Sequence, residues 1–190
     1  MTLTSRILRM VKDPLVWIDC EMTGLDLKKD RIIEIAVLIT DGDLNIVGKG
    51  PELVIHQPKH VMDNMNEWCL QHHGNSGLTQ QVLDSKITIQ EAEKQVYEFL
   101  KEHVPRGIAP LAGNSVHEDK KFLLKEMPSV ADHLHYRIVD VSTIKELCKR
   151  WYPEDASGVV KKLTHRAMDD IIESIEELKY YRKHVFKAKD

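Results

Sequence analysis

Two acidic residues end a short apolar run near the start of the chain. The run occupies residues 15–20 and contains Asp19, and Glu21 follows two positions later. Alternate residues of a strand point to the same face, so a strand here projects Asp19 and Glu21 together while Cys20 points the other way. Two such carboxylates resist desolvation and repel each other unless one is protonated or a cation lies between them. The pair predicts a site for Mg²⁺ or Mn²⁺. The alternative is a strand that simply ends in solvent.

A third acid, Asp119, lies on a predicted helix among apolar residues. Val116 precedes it by three positions and Phe122 follows it by three, so all three share neighbouring faces of the helix. A carboxylate on a largely apolar stripe indicates a functional acid. Lys120 lies near the same stripe, which favours the ordinary alternative of a partly exposed side chain.

The last predicted helix, residues 164–183, carries two neighbouring acids, Asp169 and Asp170. They flank its predicted core stripe on opposite sides; the stripe consists of Met168, Ile171, Ile172, Ile175 and Leu178. Helical periodicity does not choose between the two acids. His165 lies five residues before Asp170, so it does not share the direction of Asp170 on a regular helix. A lone histidine in such a position is more often a surface or capping residue than a base.

Four acids and one histidine make sense together in a single reaction. Carboxylates that hold two divalent ions promote attack by water and stabilise the leaving oxygen, while a histidine removes the proton of the water. Hydrolysis of a phosphodiester is that reaction. Each residue taken alone is also explained by an ordinary structural role. The hypothesis depends on all five residues being present in this order along the chain.

Apolar runs and turn signals predict the strands that position these residues. Five strands are expected, at residues 15–20, 31–40, 44–55, 108–112 and 136–141. The dipeptide Asp41-Gly42 predicts a hairpin between the second and third strands. Three strands followed by alternating helices and strands indicate an α/β fold with a mixed five-stranded sheet flanked by helices.

Capping signals predict where the helices begin. Thr88 and Glu91 form a capping box before a helix that ends ahead of Pro105, and Ser115 and Glu118 form a second one. The second helix extends to about residue 126, a third covers residues 143–151, and the last is the helix described above.

Length and composition indicate one soluble domain. The 190 residues have 42% hydrophobic and 30% charged side chains, and no stretch approaches the roughly 18 apolar residues of a membrane span. The three cysteines have no paired spacing, which fits a reducing interior. A net charge of −3 weighs against long contacts with duplex nucleic acid, but not against an enzyme that holds one or two nucleotides.

The domain is expected over residues 13–190, after a basic segment at residues 1–12. This segment contains Arg6, Arg9 and Lys12 and no acid, as a short organellar presequence does, although a frayed basic terminus is the plainer interpretation. We therefore expect a cytoplasmic protein, with mitochondrial import as the alternative.

Four segments resemble the oligoribonuclease family. They are WIDCEMTGLD at residues 17–26, AGNSVHEDKKFL at 112–123, HYRIVDVSTIKELCKRW at 135–151 and HRAMDDI at 165–171. The resemblance covers residues 13–187 without a large gap. The family belongs to the histidine-containing branch of the DEDD exonucleases, which have a ribonuclease-H-like fold. The motif EMTGLD and the block HYR-x-x-DVST are specific to it within this broader superfamily.

The resemblance implies roles for particular residues. Asp19, Glu21, Asp119 and Asp170 would bind two divalent ions, Mg²⁺ or Mn²⁺, with His165 as the general base. Leu25 would wedge between bases and Trp68 would stack on one of them. The positions that close around the terminal phosphate, and so favour very short substrates, are His73, Ser115, Arg137 and Ser142. Tyr136 matches a tyrosine that the partner subunit contributes, which implies a homodimer. Core or interface packing is the alternative for Trp68 and Tyr136.

The leading hypothesis is a 3′→5′ exoribonuclease that degrades short oligoribonucleotides, especially dinucleotides, to nucleoside 5′-monophosphates. A DNA-directed exonuclease of the same superfamily is the alternative within catalysis. A non-catalytic module that binds short RNA is the alternative from another class. The presence of all four acids and the histidine weighs against that last one.

Overall fold

The first three strands form an antiparallel meander. In the computed structural model, which describes residues 11–155 and 166–187, they are β1 (Leu15–Met22), β2 (Ile32–Thr40) and β3 (Ile46–Val54). All nine residues of β2 are buried, as expected for a strand rich in isoleucine that is paired on both sides. The carboxylate of Asp41 accepts the N–H groups of Asp43 and Asn45, each at 2.9 Å, which closes the predicted hairpin turn.

Two parallel strands extend the sheet from β1. They are β4 (Pro110–Gly113) and β5 (His135–Asp140), and the strand order is β3-β2-β1-β4-β5. The central strand β1 pairs antiparallel with β2 and parallel with β4. The prediction of a mixed five-stranded sheet is therefore confirmed. The fifth strand ends one residue earlier than predicted because the side chain of Asp140 accepts the N–H of Ser142 and caps the next helix.

Helices cover both faces of the sheet. On one face are α4 (Ile89–His103), α5 (His117–Glu126) and α6 (Pro128–His133), and on the other are α7 (Val141–Trp151) and α8 (Ala167–His184). The first face has a core of Ile18, Val96 and Phe122 with their neighbours. The second has a core around Trp17 and Ile171. Neighbouring residues of β1 thus contribute to different cores, as strand alternation requires.

The two predicted capping boxes have different outcomes. The box of Thr88 and Glu91 is present, with the N–H of Glu91 donating to the Thr88 hydroxyl at 3.2 Å. The prediction of a capping box at Ser115 and Glu118 is wrong. Helix α5 begins at His117, and its N-cap Val116 makes no side-chain capping bond. Ser115 instead has a positive φ of 53°, and its hydroxyl lies 3.2 Å from that of Ser142.

The segment between β3 and α4 contains three short helices that the sequence analysis did not predict. They are α1 (Lys59–Asp63), α2 (Glu67–Asn75) and α3 (Leu78–Asp84). Their apolar residues form a third core with Ile33 of β2; it includes Met62, Met65, Cys69, Leu78 and Val82. These helices have five to nine residues, too few to show a clear helical period.

The apolar stripe of α8 is narrower than predicted. Ile171, Ile175 and Leu178 are buried and Met168 packs against their core, but Ile172 is exposed and its assignment to the stripe is wrong. All three cysteines of the chain are buried and free. Within the described ranges, no helix has the length and apolarity needed to cross a membrane.

Candidate active site

Three carboxylates meet where β1 and α8 come together. One oxygen each from Asp19, Glu21 and Asp170 lies within 4.8 Å of the others. Asp19 and Glu21 point to the face of β1 that carries Trp17, and α8 packs on that face. The pairing register with β2 shifts just after Glu21, so this pair ends the regular part of the strand.

The packing of α8 decides which of its two acids faces β1. Ala167 and Ile171 are buried in the core around Trp17, which turns Asp170 toward the sheet and leaves Asp169 exposed. The structure therefore brings Asp170 to the strand pair. The resemblance implied Asp170, and the position of the whole helix, which helical periodicity does not contain, brings this acid rather than Asp169 to the strands.

Asp119 is tied to the backbone between the two strand acids. The N–H of Cys20 donates to Asp119 Oδ1 at 2.9 Å. The paired part of β4 reaches only Val16 and Trp17 of β1, so Asp119 takes the place of a strand as the hydrogen-bond acceptor further along. The side chain is buried, on the same helix as buried Phe122. All four predicted acids thus lie around the end of β1.

Crowding and burial make these carboxyl groups hard to ionise. Burial, and then the charges of Asp170 and Glu34, raise the pKa of Glu21 to about 8. Burial raises the pKa of Asp119 to about 7, although the hydrogen bond from Cys20 acts in the opposite direction. Burial and then the charges of Asp119 and Glu21 raise the pKa of Asp19 well above its ordinary value. A divalent cation would offset this repulsion, and the all-carboxylate donor set fits Mg²⁺ or Mn²⁺.

A pocket with two exposed apolar side chains adjoins the acid cluster. Its volume is about 430 Å³, and its lining includes Glu21, Leu25 and Trp68. Leu25 is 65% exposed and Trp68 is 53% exposed. The Trp68 ring stacks on His72 with centroids 3.9 Å apart, so the indole is held by its own helix, α2. These two side chains offer apolar surfaces to a flat ligand beside the carboxylates.

Comparisons with known proteins identify the family of this chain. The exonuclease family model RNase_T matches residues 16–178. The mitochondrial oligoribonuclease of Homo sapiens is 59% identical over 92% of this chain and 74% of its own length. A probable oligoribonuclease of Dictyostelium discoideum is 61% identical over 91% of this chain and 90% of its own length. An oligoribonuclease of Haemophilus ducreyi is 53% identical over 94% and 98%. The chain belongs to the oligoribonuclease family.

Solved exonucleases share the fold of this oligoribonuclease-family chain. Exonuclease I from Methylocaldum szegediense superposes with a TM-score of 0.67 over 90% of the chain, at 20% identity. The E. coli Exonuclease I complex with single-stranded DNA gives a TM-score of 0.71 over 92%, at 15% identity. The chain spans 41% of the length of each of these two proteins. The ribonuclease-H-like exonuclease fold is therefore shown, and the family makes the chain a hydrolytic exonuclease.

A second polar group of this oligoribonuclease-family chain lies at the end of β4 and the start of α7. The N–H of Ser115 donates to Asp140 Oδ1 at 3.0 Å and to the Ser142 hydroxyl at 2.8 Å. The Ser142 hydroxyl in turn donates to Asn114 Oδ1 at 3.0 Å. Two of the residues expected at a terminal phosphate are therefore in direct contact.

The other residues expected from the resemblance are placed differently. Arg137 is exposed on the edge strand β5, with its guanidinium 5.2 Å from the ring centroid of Tyr136. Tyr136 itself is 72% exposed. His73 is fully buried: its Nε2 lies 3.0 Å from the carbonyl oxygen of Met22, and its Nδ1 lies 3.9 Å from Glu21 Oε2. His73 is therefore behind Glu21 rather than on the surface.

Two predictions from the sequence concern residues that the structure does not describe. His165, the expected general base, lies outside the described residues, which resume at Arg166. The basic segment at residues 1–12 also lies outside them, except for its last two positions.

One acid near the site, Glu34, was not predicted from the sequence. It is fully buried on β2 and stands opposite Glu21 in the strand register. The signal was present, because Glu34 is the one charged residue in the apolar run IIEIAVLIT. A charge in such a run requires a buried partner or ligand.

Proposed function

We propose that this chain is a 3′→5′ exoribonuclease that hydrolyses short oligoribonucleotides, dinucleotides above all, to nucleoside 5′-monophosphates. The observation that carries the proposal is the meeting of Asp19, Glu21 and Asp170 within 4.8 Å, next to a pocket with exposed Leu25 and Trp68. The relatives named oligoribonuclease, at 53–61% identity, support the choice of RNA.

The proposed chemistry uses two divalent ions, Mg²⁺ or Mn²⁺, held by Asp19, Glu21, Asp119 and Asp170. Ions bound there supply a lowered pKa for the attacking water and charge stabilisation for the leaving 3′ oxygen. His165 removes the proton of the attacking water as the general base. The resemblance of the segment HRAMDDI, residues 165–171, to the oligoribonuclease family supports this role.

Leu25 and Trp68 are proposed to hold the bases. Leu25 wedges between two neighbouring bases and Trp68 stacks on one of them, which works for any base because every base has a π face. Both side chains are more than half exposed beside the acids, as this role requires.

The preference for very short substrates is proposed to come from the terminal phosphate. Ser115, Ser142 and Arg137 would close around the terminal phosphate, so that a longer substrate has no room to continue past it. The contact between Ser115 and Ser142 and the exposed guanidinium of Arg137 support a phosphate site. The buried position of His73 assigns it a supporting place behind Glu21 in this proposal.

The working unit is proposed to be a homodimer in which Tyr136 reaches the active site of the partner subunit. The exposure of Tyr136 and its position on the edge strand β5 support this. Trp151, at the end of α7, is also 66% exposed, which is unusual for so large an apolar side chain.

Timed hydrolysis of a diribonucleotide tests the proposal. Asp19→Ala and Asp170→Asn should each reduce turnover at least about 1,000-fold, as loss of an acid that holds a catalytic metal implies. Asp169→Asn is the matched control, since it removes the exposed neighbouring charge and should leave turnover unchanged. Full activity of Asp170→Asn would contradict the assignment of the site.

Substrate length and sugar test the finer parts. With oligoribonucleotides of two to about eight units, the dinucleotide should be cleaved fastest; faster cleavage of long chains would contradict the phosphate cap.

The E. coli Exonuclease I complex with DNA, which has the same fold, favours a DNA-directed exonuclease as the second candidate. Faster hydrolysis of deoxyribodinucleotides than of ribodinucleotides would establish that candidate instead. Binding of a dinucleotide without turnover in Mn²⁺ would indicate a non-catalytic module.

A further inference from the structure

A buried carboxylate on β2 contacts the start of the helix that carries Asp170. Glu34 has no solvent exposure, and its strand is buried along its whole length. Desolvation of a carboxylate costs several kcal/mol unless charged or hydrogen-bonding partners surround it. The groups that contact the Glu34 carboxylate therefore indicate the role of this residue.

Arg166 occupies both oxygens of Glu34. Its Nη2 donates to Oε1 at 2.7 Å, and its Nε lies 3.0 Å from Oε1 and 3.3 Å from Oε2. The backbone N–H of Ala167 donates to Oε2 at 3.3 Å. The fork of Arg166 and one peptide group thus surround this carboxylate, which leaves it directed at α8 rather than into the acid cluster.

The first turn of α8 depends on this contact. Arg166 is the N-cap of the helix, and its own side chain makes no capping bond. The carboxylate of Glu34 replaces that cap from a distant part of the chain by accepting the first helical N–H, a place where a negative charge also interacts favourably with the helix dipole. Arg166 is anchored a second time, since its Nη2 lies 3.2 Å from Gln81 Oε1.

One helical turn joins this anchor to Asp170. The N–H of Asp170 donates to the carbonyl oxygen of Arg166 at 3.0 Å. The backbone position of Arg166 therefore sets how far α8 extends toward β1 and how it is rotated. A shift of about 1 Å at the anchor would reach Asp170 almost undiminished, because a helical turn is stiff.

We infer that Glu34 and Arg166 are a positioning pair that holds the carboxylate of Asp170 against Asp19 and Glu21, so that the divalent-metal site is formed before metal arrives. The inference rests on the proposed metal-binding role of these acids. In this inference the pair increases the affinity of the site for the metal more than it stabilises the fold. A buried ion pair often contributes little net stability.

Mn²⁺ titration of the purified full chain, with thermal unfolding in parallel, tests the pair. The variants are Glu34→Gln, Arg166→Gln, the double variant with both changes, and Arg166→Lys, which keeps the charge but not the fork. We expect Mn²⁺ affinity to fall roughly 10-fold or more in the glutamine variants, and by less in Arg166→Lys, as for other residues that orient metal ligands. For the dinucleotide, kcat at a fixed, subsaturating Mn²⁺ concentration should fall while KM changes less than about threefold.

Glu177→Gln is the matched control. Glu177 is also fully buried, lies on the same helix about two turns beyond Asp170, and is paired with Lys145 at 3.6 Å outside the acid cluster. This variant should lower the melting temperature and leave Mn²⁺ affinity within about threefold of the original value. The double variant replaces the ion pair by two neutral amides. It is used if a single change, which leaves one buried charge without its partner, prevents folding. If none of the glutamine variants folds, the Mn²⁺ affinity of Arg166→Lys alone tests the inference. This variant is expected to fold because position 166 is partly exposed and a lysine there keeps a positive charge near Glu34.

Two results separate failure of this inference from failure of the proposed function. Folded variants at Glu34 and Arg166 that bind Mn²⁺ like the original chain, with only a lower melting temperature, would overturn the positioning role. Asp170→Asn with undiminished Mn²⁺ affinity would instead overturn the proposed metal site. Loss of Mn²⁺ binding in Asp170→Asn together with the expected losses at Glu34 and Arg166 supports both.

Discussion

At the scale of single residues, the candidate active site contains acids that the fold makes costly to ionise. Glu21 has its pKa raised from 4.5 to about 8, and Asp119 from 3.8 to about 7, chiefly through burial. The protein therefore holds protons at this site that an unfolded chain would release. A divalent cation bound there, as proposed, would compete with those protons for the same oxygens.

The stability of the metal-free protein should consequently depend on pH in an unusual direction. A carboxyl group whose pKa is raised on folding stabilises the folded state fully below its ordinary pKa, and this contribution is lost as pH rises through the folded-state value. For Glu21 the window is pH 4.5 to about 8. Urea unfolding in EDTA should show a free energy of unfolding lower by on the order of 3 kcal/mol at pH 8 than at pH 5.

Glu21→Gln tests the origin of this effect. The variant should show a smaller decrease between pH 5 and pH 8, because the amide neither binds nor releases a proton. Asp169→Asn, which changes an exposed acid, should keep the full decrease. Added Mn²⁺ should stabilise the original chain more at pH 8 than at pH 5. A metal-free protein that became more stable toward pH 8 would contradict the raised pKa values.

Individual site residues were predictable where a short pattern fixes direction. Strand alternation was enough to place Asp19 and Glu21 on one face. The apolar neighbours of Asp119 indicated a functional acid but left a partly exposed side chain as the alternative, and the structure shows the side chain buried. Helical periodicity did not separate Asp169 from Asp170, because they flank the stripe of α8 and the packing of that helix on β1 turns one of them inward. The family resemblance was needed to choose Asp170. Glu34 was overlooked although its apolar surroundings demanded a partner, and that partner is 132 residues away in sequence.

At the scale of elements, the loop after β1 is built around one buried carboxylate. Asp30 Oδ1 accepts the hydroxyl of Thr23 at 3.0 Å, and its Oδ2 accepts the N–H of Asp26 at 2.8 Å. A Cβ atom at Gly24 would lie 2.4 Å from Asp30 Oδ2, so the turn and the carboxylate require each other. Leu25 lies at the exposed part of this loop.

Asp30→Ala should therefore act on substrate binding through the loop. We expect KM for a diribonucleotide to rise about 3- to 10-fold because Leu25 loses its fixed position, and stability to fall by about 1–3 kcal/mol because buried donors lose their acceptor. Mn²⁺ affinity should stay the same, which separates this effect from loss of the acid cluster. Steady-state kinetics and Mn²⁺ titration measure the two quantities.

Asp41→Ala is the control for this loop. Asp41 likewise accepts two N–H groups of a turn, but that turn joins β2 to β3, away from the acids. Its replacement should change stability without changing KM. An unchanged KM in folded Asp30→Ala would show that the loop keeps its shape without the carboxylate.

Element prediction succeeded for strands and failed where tertiary contacts override local signals. Apolar runs located all five strands to within a few residues, and the signal was strongest in β2, whose burial along its whole length makes the run long and β-branched. Ser115 and Glu118 have the spacing of a capping box, yet Ser115 bonds to Asp140 and Ser142 across the sheet and α5 begins two residues later. The helices α1 to α3 gain their stability from the shared core around Ile33 rather than from their own sequences.

At the scale of the whole molecule, the exposed aromatic residues raise the question of assembly. Tyr136 is 72% exposed and Trp151 is 66% exposed, while the chain has only 6% aromatic residues. Aromatic side chains are enriched in the cores of protein interfaces. A symmetric dimer would cover such residues twice and could place each Tyr136 in the active site of the partner.

Mixing two inactive variants tests whether active sites are shared between subunits. Tyr136→Ala should lower turnover of a diribonucleotide by roughly 10-fold or more, if its ring contacts the substrate of the partner subunit. Asp170→Asn disables only the site of its own subunit. A mixed dimer then contains one complete site, in the subunit that carries Tyr136→Ala, because the partner with Asp170→Asn supplies an intact tyrosine.

Random exchange of equal amounts of the two variants makes half of the dimers mixed, so activity should recover to about a quarter of the original value. Sedimentation of each variant alone establishes that both are dimeric, and Tyr136→Phe, which keeps the ring, shows whether the ring or the hydroxyl matters. Mixing Asp170→Asn with Asp19→Ala is the negative control, since no arrangement of these two gives a subunit with a complete acid cluster. Dimeric variants that exchange subunits without any recovery would show that Tyr136 acts within its own subunit or only in packing.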